Sequence, residues 1–151
     1  MLDVRPSPIA GKWYEGDPQM LARLVDGYLD DAQLPDLDGE VIAVIAPMHQ
    51  PYFESMITTA HEAYSTPLGH ILVDKDALRE LDVVLKSEVG FGLSAVEHDP
   101  EHSLEIELPF LQRALSSKWK LLPVMVRARD MHISQGLGKA LAHVLRDKNF
   151  L

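Results

Sequence analysis

Hydrophobic positions along the chain follow helical and strand periods in alternation. After Asp17-Pro18, a suitable helix start, apolar residues recur on one face at Leu21, Leu24, Val25, Tyr28, Leu29 and Ala32. Similar stripes predict helices from Asp74, from Pro100 to about residue 117, and over 134–146. Apolar or alternating runs predict strands over 41–46, 56–64, 70–73, 93–96 and 121–126. The alternation predicts an α/β fold with a largely parallel or mixed sheet flanked by helices.

Three local signals refine this outline. The run 41–46 contains no polar residue, which is typical of a strand buried on both faces, and residues 48–55 after it predict a loop. Thr-Pro-Leu-Gly at 66–69 predicts a turn, because proline and glycine stand where turns prefer them. Pro109 falls inside the third predicted helix, where we expect it to bend the axis and free the carbonyl of Glu105.

Length, charge and cysteine content limit the classes of protein to which the chain can belong. At 151 residues the chain predicts one domain with its own core. A net charge of −9 argues against binding nucleic acid or an anionic membrane surface. No apolar stretch is long enough to cross a bilayer or act as a signal core, so a cytoplasmic location is expected. Without cysteine, a metal site here must use His, Asp, Glu or backbone oxygens.

His49 and His102 are the two strongest candidates for chemistry. His49 follows the apolar run 41–46, and ligand sites of open α/β sheets lie at the carboxyl ends of strands. In a helix that begins near Pro100, His102 shares a face with Glu105 and Ile106, so His102 and Glu105 would converge on one cation or water. The alternatives are a surface loop for His49 and a solvated first turn for His102.

The remaining candidates carry weaker signals. Glu97 and His98 would support the ligand histidines, since such rings need their other nitrogen oriented. His61 and His70 are expected to be half-buried or at a sheet edge, and His143 to lie on a helix surface. His132 follows Arg127 and Arg129, two arginines that would suit a carboxylate or phosphate, or simply a solvated loop. Trp13 and Tyr14 predict a packing anchor for the N-terminal arm, with ligand stacking as the alternative.

Familiar catalytic motifs do not occur in the chain. It has no glycine-rich phosphate loop, no Gly-x-Ser-x-Gly and no His-Glu-x-x-His. Nucleotide binding, serine hydrolysis and zinc-dependent proteolysis are therefore not expected.

Five blocks in order resemble the Memo family, which includes the AmmeMemoRadiSam system protein B. They are Ile-Ala-Gly-Lys-Trp-Tyr at 9–14, Pro-Met-His at 47–49, Ser-Thr-Pro-Leu-Gly at 65–69, Glu-His-Ser-Leu-Glu at 101–105 with Leu-Pro-Phe-Leu at 108–111, and Leu-Pro-Val-Met-Val at 122–126. The resemblance implies a fold related to the nonhaem-iron extradiol dioxygenases, with iron or copper binding, redox chemistry or protein interaction as the associated roles. It also implies catalytic positions at His49, His102 and Glu101, with His49 and His102 as metal ligands.

The chain also departs from the family pattern. The run 41–46 stands for two family strands, and the Pro-His-Ala-Gly-Tyr loop and helix between them have no counterpart. The later Ser-Ser/Thr-Asp-x-x-His block and the distal cysteine region have no counterpart either. We therefore expect residues 1–151 to form a single Memo-like domain, the N-terminal portion of the family fold, with an internal segment missing near 46–48.

Three functions remain open on the sequence. The first is a metal-binding, oxidoreductase-like protein with a dioxygenase-related pocket. The second is a noncatalytic module that binds a peptide or small anion in the same cleft, with Arg127 and Arg129 at its rim. The third is an inactive fragment, completed by self-association into a homo-oligomer across exposed sheet edges.

Overall fold

The computed structural model describes residues 1–33, 44, 55–98, 102–115 and 118–146. The predicted strand over 41–46 lies outside them except for residue 44, and the predicted loop over 48–55 lies outside them except for residue 55. In chain order the elements are β1 (Val4–Arg5), α1 (Pro18–Asp31), β2 (Met56–Thr59), β3 (Ala63–Thr66), β4 (Gly69–Leu72), α2 (Lys75–Val89), β5 (Ser94–Val96), α3 (Ser103–Ala114), β6 (Met125–Val126) and α4 (Met131–Leu145).

The predicted α/β class is confirmed, and within the described ranges the strands form two small mixed sheets. One sheet has the order β1-β3-β4, with β1 parallel and β4 antiparallel to β3. The other has the order β5-β2-β6, with β5 parallel and β6 antiparallel to β2.

The run 56–64, predicted as one strand, is two strands in different sheets. The chain bends at residues 60–62, where Ala60 N donates to Val96 O and Glu62 N donates to Asp3 O. The backbone thus leaves one sheet and enters the other without losing hydrogen bonds. No glycine or proline marks the break, so the sequence pattern did not reveal it.

Capping side chains account for most helix starts. Asp17 accepts from the amides of Gln19 and Met20 before α1, and Asp74 accepts from Ala77 N before α2, as predicted. Asp130 accepts from His132 N, so α4 begins at Met131, three residues before its predicted start.

Two further boundaries differ from prediction. Helix α3 begins at Ser103 rather than near Pro100, with His102 as its N-cap residue. The predicted strand over 121–126 is reduced to β6 and an isolated bridge between Leu121 and Val73. Pro123 lies between them, and it has no N–H to give to a ladder.

The turn predicted at 66–69 is confirmed. It joins β3 to β4, with Thr66 paired to Gly69 across the hairpin. The hydroxyl of Thr66 accepts from Leu68 N, and Gly69 has a φ of 121°, a value that favours glycine.

Two apolar clusters form the core. Helices α2 and α4 pack around Met56, with Leu81, Leu85, Ala140 and Val144 buried between them. The second cluster joins the first sheet to α2 and α3 through Tyr64, Ile71, Val73, Leu78, Leu108 and Leu121. Among the described residues, no helix is both long and apolar enough to span a bilayer.

Close contact between α2 and α4 predicts opposite effects at two glycines of α4. A Cβ on Gly136 would lie 2.2 Å from Val89 Cγ1, whereas a Cβ on Gly138 would meet nothing within 4 Å. We expect Gly136→Ala to lower the free energy of unfolding by about 1–3 kcal/mol through overpacking. Gly138→Ala should raise it by about 0.5–1 kcal/mol, since alanine favours helix. Urea unfolding measures both, and equal effects would contradict this packing.

Candidate functional site

His102 and Glu105 meet at the start of α3. They are three residues apart, on adjacent positions of one helical turn. His102 Nδ1 lies 3.6 Å from Glu105 Oε2, a charge contact rather than a hydrogen bond. The His102 side chain is 23% exposed, and the Glu105 side chain is fully buried. The two side chains therefore lie close together, as expected for residues that share a helix face.

Partners from the N-terminal segment surround the Glu105 carboxylate. Arg5 Nη1 donates to Oε2 at 3.0 Å, and Ser7 Oγ donates to Oε1 at 2.7 Å. Tyr14 Oη donates to Oε1 at 3.3 Å, and Ile9 N donates to the same oxygen at 3.4 Å. A buried carboxylate needs this many donors, because its charge is costly away from water.

The cation that Glu105 holds is the guanidinium of Arg5. Arg5 is itself buried, in β1, and lies over the ring of Tyr64 at 5.1 Å from its centroid. The sequence suggested that His102 and Glu105 would share one cation or water. Arg5 therefore balances the charge of Glu105, and His102 is its neighbour at the start of the same helix.

A tight turn brings Tyr14 to this cluster. The amides of Lys12 and Trp13 both donate to Ile9 O, and Gly11 has a φ of 72°. Tyr14 Oη lies 2.5 Å from Ser7 Oγ, so the two hydroxyls and Glu105 Oε1 form one network. The predicted role of Tyr14 as a packing anchor is confirmed.

Trp13 faces the solvent beside His102. Its ring meets the His102 ring edge-on, with 5.4 Å between centroids, yet its side chain is 63% exposed. Most of the surface of Trp13 is thus in water, so the prediction of a packing anchor is wrong for Trp13, which instead borders the candidate histidine.

Two of the predicted site residues, His49 and Glu101, lie outside the described residues. Glu97 and His98 are exposed after β5, and the Glu97 carbonyl faces His61 Nε2 at 2.8 Å. Within the described ranges, no group of three His, Asp or Glu side chains is arranged to hold a metal ion.

The other histidines and arginines lie elsewhere. His61 is half-buried in the bend between β2 and β3, and His70 is exposed on the edge strand β4. His132 and His143 are exposed on α4, as expected for His143. Arg127 and Arg129 follow β6, in the sheet that does not contain Arg5.

Arg5 and Ser7 are the site residues that sequence reasoning missed. They lie about one hundred residues before Glu105, and no local period links such distant positions. The one available signal was indirect, since a glutamate on the buried face of a helix requires a cation from elsewhere.

These contacts define an α/β domain in which an N-terminal strand and a distant helix share a buried, charge-balanced carboxylate beside a histidine. The chain belongs to the Memo-like protein family, because the family's sequence model matches residues 32–151.

Curated relatives agree with this assignment. The chain is 28% identical to the MEMO1 family protein MHO1 of Saccharomyces cerevisiae, over 99% of this chain and 57% of that relative. It is 30% identical to a MEMO1 family protein of Saccharolobus solfataricus over 79% of the chain, and 27% identical to one of Nitrosopumilus maritimus over 73%. Each of the last two matches covers 39% of the relative, so the chain spans roughly two fifths to three fifths of these proteins.

Removing Arg5 should destabilise the domain strongly. Arg5→Met would leave the buried Glu105 without its cation, at a cost of about 3–5 kcal/mol in the free energy of unfolding. Arg79→Met is the matched control, because Arg79 pairs with Asp76 on the exposed surface of α2 and should cost about 0.5 kcal/mol or less. Urea unfolding compares them, and a small effect at Arg5 would contradict the charge balance described here.

Alkaline pH should weaken the same network. Burial raises the pKa of Tyr14 above its ordinary value of 10.0, and Glu105 raises it further, against opposite effects of Ser7 and Arg5. Above pH 10 the unfolded chain then releases this proton before the folded chain does. The free energy of unfolding should therefore fall as pH rises through the folded-state pKa.

Tyr14→Phe should reduce that alkaline slope, whereas Tyr28→Phe, at an exposed position, should leave it unchanged. Chemical unfolding between pH 8 and 11 measures the slopes. Equal slopes in wild type and Tyr14→Phe would show that Tyr14 does not retain its proton on folding.

Proposed function

We propose that this Memo-like chain binds an iron or copper ion in a dioxygenase-related pocket, with His102 and His49 as ligands. The observation that carries the proposal is the contact between His102 Nδ1 and the buried Glu105 carboxylate. A histidine that binds a metal through one ring nitrogen usually directs the other at a carboxylate or carbonyl, which fixes its tautomer. With Glu105 beside Nδ1, coordination would be through Nε2.

The described donor set fits one part of such a site. His102 suits iron or copper as an imidazole ligand. Glu105 suits the role of a carboxylate beside that ligand, because its charge is already balanced by Arg5. A complete site needs at least one more ligand, and we assign it to His49, with Glu101 as the general base. When bound, the ion would supply redox or Lewis-acid chemistry. Glu105 would orient His102, and Trp13 would lie at the border of the site.

Trp13 makes this proposal directly testable by fluorescence. The two tryptophans are Trp13 and Trp119, so Trp119→Phe leaves Trp13 as the only indole emitter, 5.4 Å from the His102 ring. Copper(II) should quench that emission saturably at about one equivalent. In the same background, His102→Ala and His49→Ala should each weaken apparent binding at least about tenfold.

His143→Ala is the matched control, because His143 is an exposed histidine on α4. It should bind copper as the parent does, and elemental analysis of the dialysed protein should show the same stoichiometry. Equal quenching in the His102 and His143 variants would refute a metal site at His102.

A peptide- or anion-binding module is the second candidate function. The large exposed surface of Trp13 beside His102 favours it, because an indole next to an imidazole can hold a ligand without a metal. Saturable change of Trp13 emission with an acidic peptide, unaffected by a chelator, would support this alternative over the first.

The proposal also covers a missing internal segment and self-association of the chain. We propose that the chain lacks an internal family segment near 46–48. Its alignment with the yeast relative runs over 195 positions, more than the 151 residues of this chain, which supports such a gap. In the described ranges, β1, β4, β5 and β6 are edge strands, and we propose that the chain associates with itself across such edges into a homo-oligomer that completes the fold.

A further inference from the structure

His61 joins two distant segments through its two ring nitrogens. Nδ1 lies 2.9 Å from Asp3 Oδ1, and Nε2 lies 2.8 Å from the carbonyl oxygen of Glu97. The His61 side chain is 14% exposed, whereas the Asp3 side chain is 58% exposed. We call Asp3, His61 and Glu97 the His61 latch.

Both partners of the ring are hydrogen-bond acceptors. A backbone carbonyl can only accept, so the bond to Glu97 requires hydrogen on Nε2. An ionised Asp3 can only accept as well, so the bond to its Oδ1 requires hydrogen on Nδ1. A neutral imidazole carries one hydrogen and can satisfy only one of them, and its bare nitrogen would then face an oxygen lone pair.

The latch lies next to both chain segments that build the histidine–carboxylate site. Asp3 is two residues before Arg5, and its carbonyl accepts from the amides of Glu62 and Ala63. Glu97 is five residues before His102 in the sequence, directly after β5. The His61 latch therefore joins the segment that carries Arg5 to the segment that leads to His102.

Other charged side chains contact the residues next to the ring. Glu62 accepts from Asp3 N at 2.9 Å, and Lys75 of α2 donates to the carbonyls of Thr59 and Ala60. Desolvation lowers the pKa of Lys75, although Glu62 and Asp3 act to raise it. The Asp3 carboxylate contacts the ring, Glu62 and Lys75 bond to residues next to it, and the exposed Glu97 and His98 follow β5.

We propose that the His61 latch is a pH-sensitive device that closes when both ring nitrogens carry hydrogen and opens when one proton is lost. Acid favours hydrogen on both nitrogens of an imidazole, so the latch closes as the pH falls and opens as it rises. Opening releases either Asp3 or Glu97, depending on the neutral tautomer that forms. Acidification thus holds the N-terminal segment and the segment after β5 together.

Asp3→Asn gives the sharpest test, because an asparagine side chain can both accept and donate. Its carbonyl accepts from the charged ring, and its amide group donates to the bare Nδ1 of the neutral ring. The variant should therefore keep both contacts at either pH. His61→Gln removes the ring, and His143→Gln is the control at an exposed histidine of α4.

Amide hydrogen exchange of the full chain measures whether the latch is closed. It is followed by NMR and expressed as protection factors. The amide of Ala60, bonded to Val96 O, reports the Glu97 side, and those of Glu62 and Ala63, bonded to Asp3 O, report the Asp3 side. From pH 5.5 to pH 8, wild type should lose about two- to tenfold protection on at least one side, the factor expected for one hydrogen bond. The His143 control should do the same, and the Asp3→Asn and His61→Gln variants should not change with pH.

Two results would overturn the proposal. One is unchanged protection of these amides in wild type between the two pH values. The other is an Asp3→Asn variant that loses protection as wild type does. Long-range nitrogen-15 spectra of the wild-type ring give a check that needs no variant, since both nitrogens must be protonated at pH 5.5, and a bare nitrogen there would also exclude the latch.

Discussion

The buried carboxylate of Glu105 is the constraint on which the arrangement of this domain depends. A charge with no exposed surface is tolerated only if a cation and several donors accompany it into the interior. Helix α3 cannot supply them, so they come from the N-terminal segment, through Arg5, Ser7, Ile9 N and Tyr14. The first strand must therefore dock on α3, which joins positions one hundred residues apart.

That requirement explains why small features of the N-terminal segment matter. The turn at Gly11 directs Tyr14 back to the carboxylate, and the same turn leaves Trp13 against the ring of His102. Strand β1 is only two residues long, but it pairs with β3 and places Arg5 over Tyr64. Sheet pairing, the aromatic contact and the ion pair all involve Arg5. The same interactions therefore hold both the site and the fold together.

Sequence patterns predicted the parts of the structure that depend on near neighbours. Helices α1 and α2 followed from their apolar stripes and aspartate caps, the hairpin turn from Thr-Pro-Leu-Gly, and the contact of His102 with Glu105 from their spacing. The change of sheet at residues 60–62 was not predictable, because its hydrogen bonds come from Asp3 and Val96. The partnership of Arg5 with Glu105 was hidden for the same reason, since only the folded chain brings the two together.

The presence of a buried ion pair also bears on function. A buried arginine–glutamate pair is often no more stabilising than apolar residues of similar volume, because both charges lose their hydration. Stability alone therefore does not require a carboxylate at position 105. A carboxylate 3.6 Å from Nδ1 of His102 gives that histidine an acidic neighbour, which an apolar side chain would not. Arg5 and the N-terminal donors satisfy that carboxylate in the interior, so the ion pair and the histidine belong to one polar cluster.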